Sequence, residues 1–267
     1  MWLAALAPVL LVTGAPQTPS PWEALEPGLE MGVFDGPSTA SGDGKITVVR
    51  VDPARFDLLL LNASAPGEGS LRSVRAWAER AGAVAAINAS MYQEDYRTSV
   101  GLMRTREHVN RATLAKHKAV LAFEPLASGV PRVRIIDREC EDFAAIAQGY
   151  GSLVQSIRMV SCDRRNVWAR SEQRFSTAAI GIDRAGRLLL VHARTPWTVH
   201  DLVNALLALP IGLARAMYAE GGPEAQLYVK AGGREMEFVG GFAAVADSAV
   251  DNRGAWPVPN VIAVVRR

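Results

Sequence analysis

Ala216-Met217-Tyr218-Ala219-Glu220-Gly221-Gly222-Pro223-Glu224-Ala225-Gln226-Leu227-Tyr228-Val229 sets two apolar, strand-like runs on either side of a compact turn. The turn carries two carboxylates and two adjacent glycines. Gly-Gly-Pro breaks regular structure, because glycine reaches positive φ without penalty while proline fixes φ and lacks an N–H. Such a turn leaves backbone open to a ligand and holds carboxylates at a strand end, where they can bind a metal, meet sugar hydroxyls or exchange protons. The same residues also read as a solvated hairpin turn, since loops are commonly polar and exposed.

Outward from this turn the chain alternates strands with a few helices. Ile46–Val51 and Phe56–Leu61 are β-rich runs separated by Asp52-Pro53, a hairpin-like arrangement. Ser70–Ala81 has helical spacing of Leu71, Val74, Trp77 and Ala78, with Ser70 as the expected cap and Gly82 as the stop. Val84–Asn88 reads as a buried strand, followed by strands at Ser99–Arg104, Ala119–Phe123 and Val133–Ile136. Glu141–Ala147 reads as a second helix and Leu153–Val160 as one strand. Thr177–Asp183 and Leu188–His192 flank Arg184-Ala185-Gly186-Arg187, a hairpin signal. Thr198–Leu209 is the clearest helix, with Thr198 capping, Asp201 three residues on and Pro210 beyond its end. Arg234–Val239 and Val261–Val265 complete the strands. Many strands and two or three helices without strict βαβ order predict an α+β fold, a single domain with a mixed multi-stranded sheet core.

The 267 residues are 49% hydrophobic and 21% charged, enough for one sizeable core. A net charge of +2 and scattered basic residues give no stripe for nucleic acid. Trp2–Val12 is almost purely apolar and is followed by Thr13-Gly14-Ala15, small residues where a signal peptidase can cut. The run is shorter than the roughly 20 residues of a membrane span. Residues 1–15 are therefore expected to be a signal peptide, 16–40 a flexible leader and 41–267 the domain, in an exported, periplasmic or extracellular protein. Two cysteines, Cys140 and Cys162, fit an oxidising compartment. Their pairing is expected, and in the loop-entropy model it contributes about 3 kcal/mol. Two unpaired cysteines, one or both buried, are the other reading.

Several segments combine polar chemistry with a strand end. In Ile87-Asn88-Ala89-Ser90-Met91-Tyr92-Gln93-Glu94-Asp95-Tyr96 a buried strand stops at an amide and an aromatic, acidic cluster follows. Asn88 has both donor and acceptor for a ligand, Tyr92 an aromatic face, and Asp95 a carboxylate; an Asn-capped strand end with a solvated tip is equally ordinary. Gln155 and Arg158 interrupt an apolar run, and strict alternation puts them on opposite faces. Arg158 suits phosphate through its planar fork, or stands as a surface arginine at a strand edge. The four histidines, His108, His117, His192 and His200, lack i,i+4 pairing on a helix, and neither Gly-x-Ser-x-Gly nor a phosphate-loop motif occurs.

Taken in order, Asn88-Ala89-Ser90-Met91-Tyr92, Gln155-Ser156, Ala178-Ala179-Ile180-Gly181-Ile182-Asp183, Glu220-Gly221-Gly222 and Val258-Pro259-Asn260 resemble the phosphodiester glycosidase family. Its patterns run approximately Asn-Ala-Gly-Phe/Met-Phe/Tyr, Arg-Thr-Ala-Ile-Gly, Leu-Asp-Gly-Gly-Gly-Ser and Val-Pro-Asn. The resemblance covers roughly Ile46–Val265. It implies an exported hydrolase acting on a glycosyl phosphodiester or a related glycan linkage. By the resemblance Glu220 is the principal carboxylate, with Asp95 or Glu224 the second; Asn88, Tyr92, Gln155, Gly221, Gly222 and Asn260 hold substrate, and Arg158 or Arg174 meets phosphate. The chain departs from the pattern at Ser90 (for Gly), Thr177 (for Arg), Glu220 (for Asp), and Pro223 and Glu224 (for Gly and Ser). These departures make a non-catalytic glycan-binding or envelope-associated module the alternative. No organic cofactor is implied, and a structural calcium on carboxylate oxygens is a further alternative. The implied partner is a glycan or glycosyl phosphate.

Overall fold

The computed structural model describes residues 20–38, 42–241 and 254–267. The signal peptide expected over 1–15 lies outside them. In chain order the strands are β1 (Trp22–Glu26), β2 (Leu29–Asp35), β3 (Lys45–Val51), β4 (Phe56–Asn62), β5 (Ala85–Asn88), β6 (Met103–Arg104), β7 (Val109–Arg111), β8 (Ala119–Pro125) and β9 (Val133–Asp137). Then follow β10 (Tyr150–Ser156), β11 (Arg158–Val160), β12 (Arg174–Asp183), β13 (Leu188–Thr198), β14 (Leu213–Gly221), β15 (Gln226–Ala231), β16 (Arg234–Val239) and β17 (Asn260–Arg266). The helices are α1 (Val74–Ala81), α2 (Phe143–Ala147) and α3 (Val199–Ala208).

The fold is α+β in one domain, as expected, but its strands divide into three sheets. A seven-stranded sheet runs β1-β2-β3-β13-β12-β14-β11, a five-stranded sheet β7-β6-β10-β8-β9, and another five-stranded sheet β16-β15-β5-β17-β4. Every pairing among the described strands is antiparallel. The main core lies between the sheets: Val49, Ile180 and Leu190 from the first, Leu121 and Val154 from the second, and Ile87, Leu227 and Ile262 from the third pack together. Each sheet then covers its other face with one helix. On the seven-stranded sheet α3 buries Leu202, Val203 and Leu206, α1 buries Val74 and Trp77 on the third sheet, and Ala147 of α2 packs with Tyr150 and Leu153 of the second.

Local chemistry sets the element ends. Thr198 caps α3 by accepting from Asp201 N (3.1 Å) and donating to its carboxylate (2.7 Å). α1 begins later than its periodicity suggests: Ser73, not Ser70, accepts from Ala76 N (3.2 Å), because Arg72 is held in an extended bridge to Val258. Gly82 ends the helix at φ 64°, a left-handed conformation that glycine adopts without strain.

Five expectations are corrected by the strand pairings. Asp52-Pro53 is no hairpin, since β3 joins the seven-stranded sheet and β4 edges another. The single strand over Leu153–Val160 is two, broken at Ile157, where the chain passes between sheets and the Ile157 carbonyl accepts from Tyr218 N (3.0 Å). That break releases Gln155 and Arg158 from strict alternation. Of Ser99–Arg104 only Met103–Arg104 is strand, because Ser99 N is taken by the Asn110 side chain (2.7 Å). Within 16–40, where a flexible leader was expected, the described residues form β1 and β2, and β2 pairs along its whole length with β3.

The Glu220 turn is the fifth. It does not fold β15 back on β14; it carries the chain from one sheet to another through a single 3-10 turn, Gly222–Glu224.

Candidate functional site

The crossover turn gathers two carboxylates and two phenols. Gly221 sits opposite Thr177 on β12, and a Cβ there would collide with the Tyr218 hydroxyl. Gly222 has φ 66°, and its missing side chain leaves the Glu224 carboxylate 3.5 Å from where a Cβ would stand. The two glycines are thus a floor over which Tyr218 and Glu224 lie. Glu220 accepts from Gly221 N at 3.0 Å. Burial pushes the Glu220 carboxyl from its ordinary 4.5 up to about 8, opposed by that hydrogen bond and reinforced by the charge of Glu224. Burial also raises Glu224. Tyr92 and Tyr218 are both raised, first by burial and then by the charges of the two glutamates.

Aromatic contacts extend the cluster. Trp168 packs against Tyr218 in a tilted arrangement with ring centroids 5.2 Å apart, and Tyr96 against Tyr92 likewise at 5.7 Å. Beneath the turn, His192 of β13 is fully buried and bonds through Nε2 to the Ala225 carbonyl (3.2 Å). Burial lowers it to about 4, so the ring is neutral at neutral pH.

The candidates from sequence fall into two groups. Glu220, Glu224, Gly221, Gly222 and Tyr92 come together. Asn88 adjoins them with its amide engaged: Nδ2 donates to the Glu224 carbonyl (2.8 Å) and Oδ1 accepts from Gln226 N (2.7 Å). It fixes the turn that presents Glu224.

The second group lies elsewhere or is committed elsewhere. Gln155 is fully buried; Oε1 accepts from Leu102 N and Ala115 N (3.0 and 2.8 Å), and Nε2 donates to the Ala115 and His117 carbonyls (3.0 and 2.6 Å). All its polar capacity pins the 101–117 segment. Arg158 donates through Nη1 to both oxygens of buried Asp137 (2.8 and 2.9 Å). Asp95 is exposed and caps its own loop, accepting from Arg97 N, Thr98 N and Thr98 Oγ1, which together hold its carboxyl below the usual range. Arg174 is exposed at the start of β12, opposite Thr198 rather than Gly221. Asn260 stands between the groups: it is buried on the third sheet opposite Asn62 and beside the Asn88 strand end, where its carbonyl accepts from Ala89 N (3.1 Å), and its side chain is without a partner among the described residues.

Three residues near the turn escaped the sequence reading. Tyr218 is two positions before Glu220 in the same strand, but the register shifts between them, Tyr218 facing Ala179 and Glu220 facing Ala178, so strand alternation does not predict their association. His192 and Trp168 arrive through pairing and loop packing, which carry no local signal. The Cys140–Cys162 disulfide forms, with Cα atoms 6.7 Å apart. Among the described residues the one trio of potential ligand atoms is Asp137, Cys140 and Cys162; its sulfurs bond each other and its carboxylate takes Arg158.

The family model of the phosphodiester glycosidases matches residues 81–265. The chain belongs to the phosphodiester glycosidase family. The matched stretch spans the whole turn and reaches from α1 to β17. Among solved structures, the zebrafish N-acetylglucosamine-1-phosphodiester alpha-N-acetylglucosaminidase catalytic domain, auto-inhibited by its pro-peptide, is similar at 14% identity and a TM-score of 0.66, covering 92% of this chain and 86% of that one. A hypothetical protein from Synechocystis is also 14% identical, with a TM-score of 0.63 over 90% of this chain and 62% of its own. At such identity these neighbours show a common fold. A search of curated proteins gave no match. Within the family pattern, Thr177 stands where arginine is usual and is 1% exposed, directly across from Gly221.

Proposed function

We propose that this phosphodiester glycosidase family member is an exported hydrolase of glycosyl phosphodiesters or related envelope glycans, with Glu220 as general acid and Glu224 as its partner base. The observation that carries this reading is the carboxylate pair at the sheet-crossing turn, with one member pushed to about 8. Two carboxyl groups in unlike environments are the usual apparatus for breaking a glycosidic bond. Glu220 keeps its proton at neutral pH and gives it to the departing phosphate oxygen as the glycosidic C–O bond breaks. Glu224, raised but less enclosed, takes a proton from the water that adds to the sugar carbon. Tyr92 and Tyr218 remain protonated and offer hydroxyl donors to the sugar or phosphate. Asn88 acts by holding the Glu224 backbone.

Export is supported by the disulfide and by the apolar N-terminal run. No helix among the described residues is long and apolar enough to cross a membrane. A non-catalytic glycan-binding role has one observation in its favour: Thr177 leaves no guanidinium opposite Gly221, and Arg158 is spent on Asp137. Assaying release of sugar from glycosyl-phosphodiester substrates by the native protein and by Glu220→Gln separates the readings. Turnover that the variant loses supports the hydrolase; glycan binding with no turnover by the native protein sinks it.

A further inference from the structure

A cavity of about 720 Å³ lies away from the carboxylates, between the third sheet and β8. Its size falls within the roughly 300–1,000 Å³ of ligand pockets. All seven residues of β4, Phe56 through Asn62, line it. Alternate residues of a strand point to opposite faces, so a cavity touched by every one runs along the strand's edge and not over one face. β4 is the last strand of its sheet, paired with β17 on one side. Its other side presents a row of N–H and C=O groups to the cavity.

The walls are chemically simple. Phe56, Leu60, Phe123 and Val133 are buried apolar side chains, and Leu59 is 40% exposed at the mouth. Beside Leu58–Leu60 the wall charges are paired: Arg132 bonds Asp57 (2.5 Å) and Arg106 pairs with Glu124 (2.8 Å), which also accepts from Ser152 Oγ (2.8 Å); Glu107 also lines the cavity, with no ion pair among the described residues. At one end Asn62 is 2% exposed, with an Oδ1 that has no hydrogen-bond partner among the described residues. A buried acceptor left unpaired costs on the order of 1–3 kcal/mol, and an incoming N–H removes that cost.

We propose that this groove binds an extended peptide segment by strand addition to β4. The segment is uncharged where it lies on Leu58–Leu60, because the flanking ion pairs are already complete. Backbone hydrogen bonds to an exposed edge supply affinity in such recognition, and alternate side chains enter apolar pockets. A flat edge would invite a second copy of the same strand. Here the wall of Phe123–Pro125 and Arg132 makes the edge a slot, which favours a single free strand.

The test uses an acetylated, amidated heptapeptide of alternating valine and threonine, its analogue N-methylated at alternate residues, and full-length native protein. Fluorescence polarisation is expected to show saturable binding of the first peptide and at least a tenfold loss for the N-methylated one, which lacks the donors. Hydrogen exchange is expected to slow at Leu58–Leu61 when the first peptide is present. Leu59→Lys, at an exposed position that leaves the core intact, is expected to weaken binding at least tenfold. The proposal is overturned by absence of binding at millimolar peptide, by equal binding of the N-methylated analogue, or by protection elsewhere than β4. A concentration-dependent dimer that buries β4 would equally replace the peptide as occupant.

Discussion

Replacing Glu220 with glutamine is expected to make the protein more stable at alkaline pH and to flatten its pH dependence. The unfolded carboxyl titrates near its ordinary 4.5, whereas the folded one holds its proton to about 8. Between these values the folded state binds more protons than the unfolded state, so stability is complete below pH 4.5 and falls as pH rises through 8. At about 1.4 kcal/mol per pH unit, the loss is of the order of a few kcal/mol by pH 9. Glutamine keeps the shape and carries no charge, so it escapes the loss. His192 acts oppositely: folded, it is lowered to about 4, so it withdraws stability as pH falls below 6.5. It is common to both proteins and cancels in the difference. Urea unfolding midpoints measured from pH 5 to 9 for native protein and Glu220→Gln give that difference directly. Parallel curves across the range would refute the buried, protonated Glu220 and with it the assignment of general acid.

Hydrolysis, measured as kcat/KM against pH, is expected to fall above about pH 8, where Glu220 releases its proton, and that limb is absent from any residual activity of Glu220→Gln. Glu224→Gln is expected to lower kcat by 10²-fold or more while leaving the unfolding midpoint within about 0.5 kcal/mol of native, since the residue is only half-buried. Gly221→Ala, which drives a methyl into the Tyr218 hydroxyl, is expected to cost about 1–3 kcal/mol in urea unfolding. Arg158→Ala leaves Asp137 buried without its guanidinium and is expected to destabilise by about 3–5 kcal/mol; a smaller change than for an exposed arginine such as Arg165 would contradict a structural role.

How much of this was written in the sequence depends on range. Thr198 as a cap, Gly82 as a stop and the Arg184–Arg187 hairpin are local, and each was legible because its chemistry is complete within a few residues. Glu220, Gly221, Gly222 and Glu224 were legible for the same reason. Sheet membership was not. β3 and β4 look like hairpin partners, and so do β14 and β15, yet each pair is split between sheets by pairings with strands distant in the chain. Gln155 and Arg158 show the same limit in the site. A polar residue in an apolar run announces that it has a partner, but periodicity is silent on whether the partner is a ligand, a loop backbone or a buried aspartate.

Asp137 and the disulfide have a mechanical consequence. Asp137 ends β9 in one sheet, Arg158 begins β11 in another, and Cys140–Cys162 closes the same corner covalently. β11 pairs with β14, the strand that ends in Glu220 and Gly221. On the far side Asn88, from the third sheet, grips the carbonyl of Glu224. The two carboxylates are therefore anchored on different sheets: Arg158–Asp137 and Cys140–Cys162 strap the sheet of Glu220 to the second sheet, while Asn88 holds Glu224 from the third. The disulfide thus braces only the Glu220 flank of the gap, and the Glu224 flank depends on the Asn88 amide.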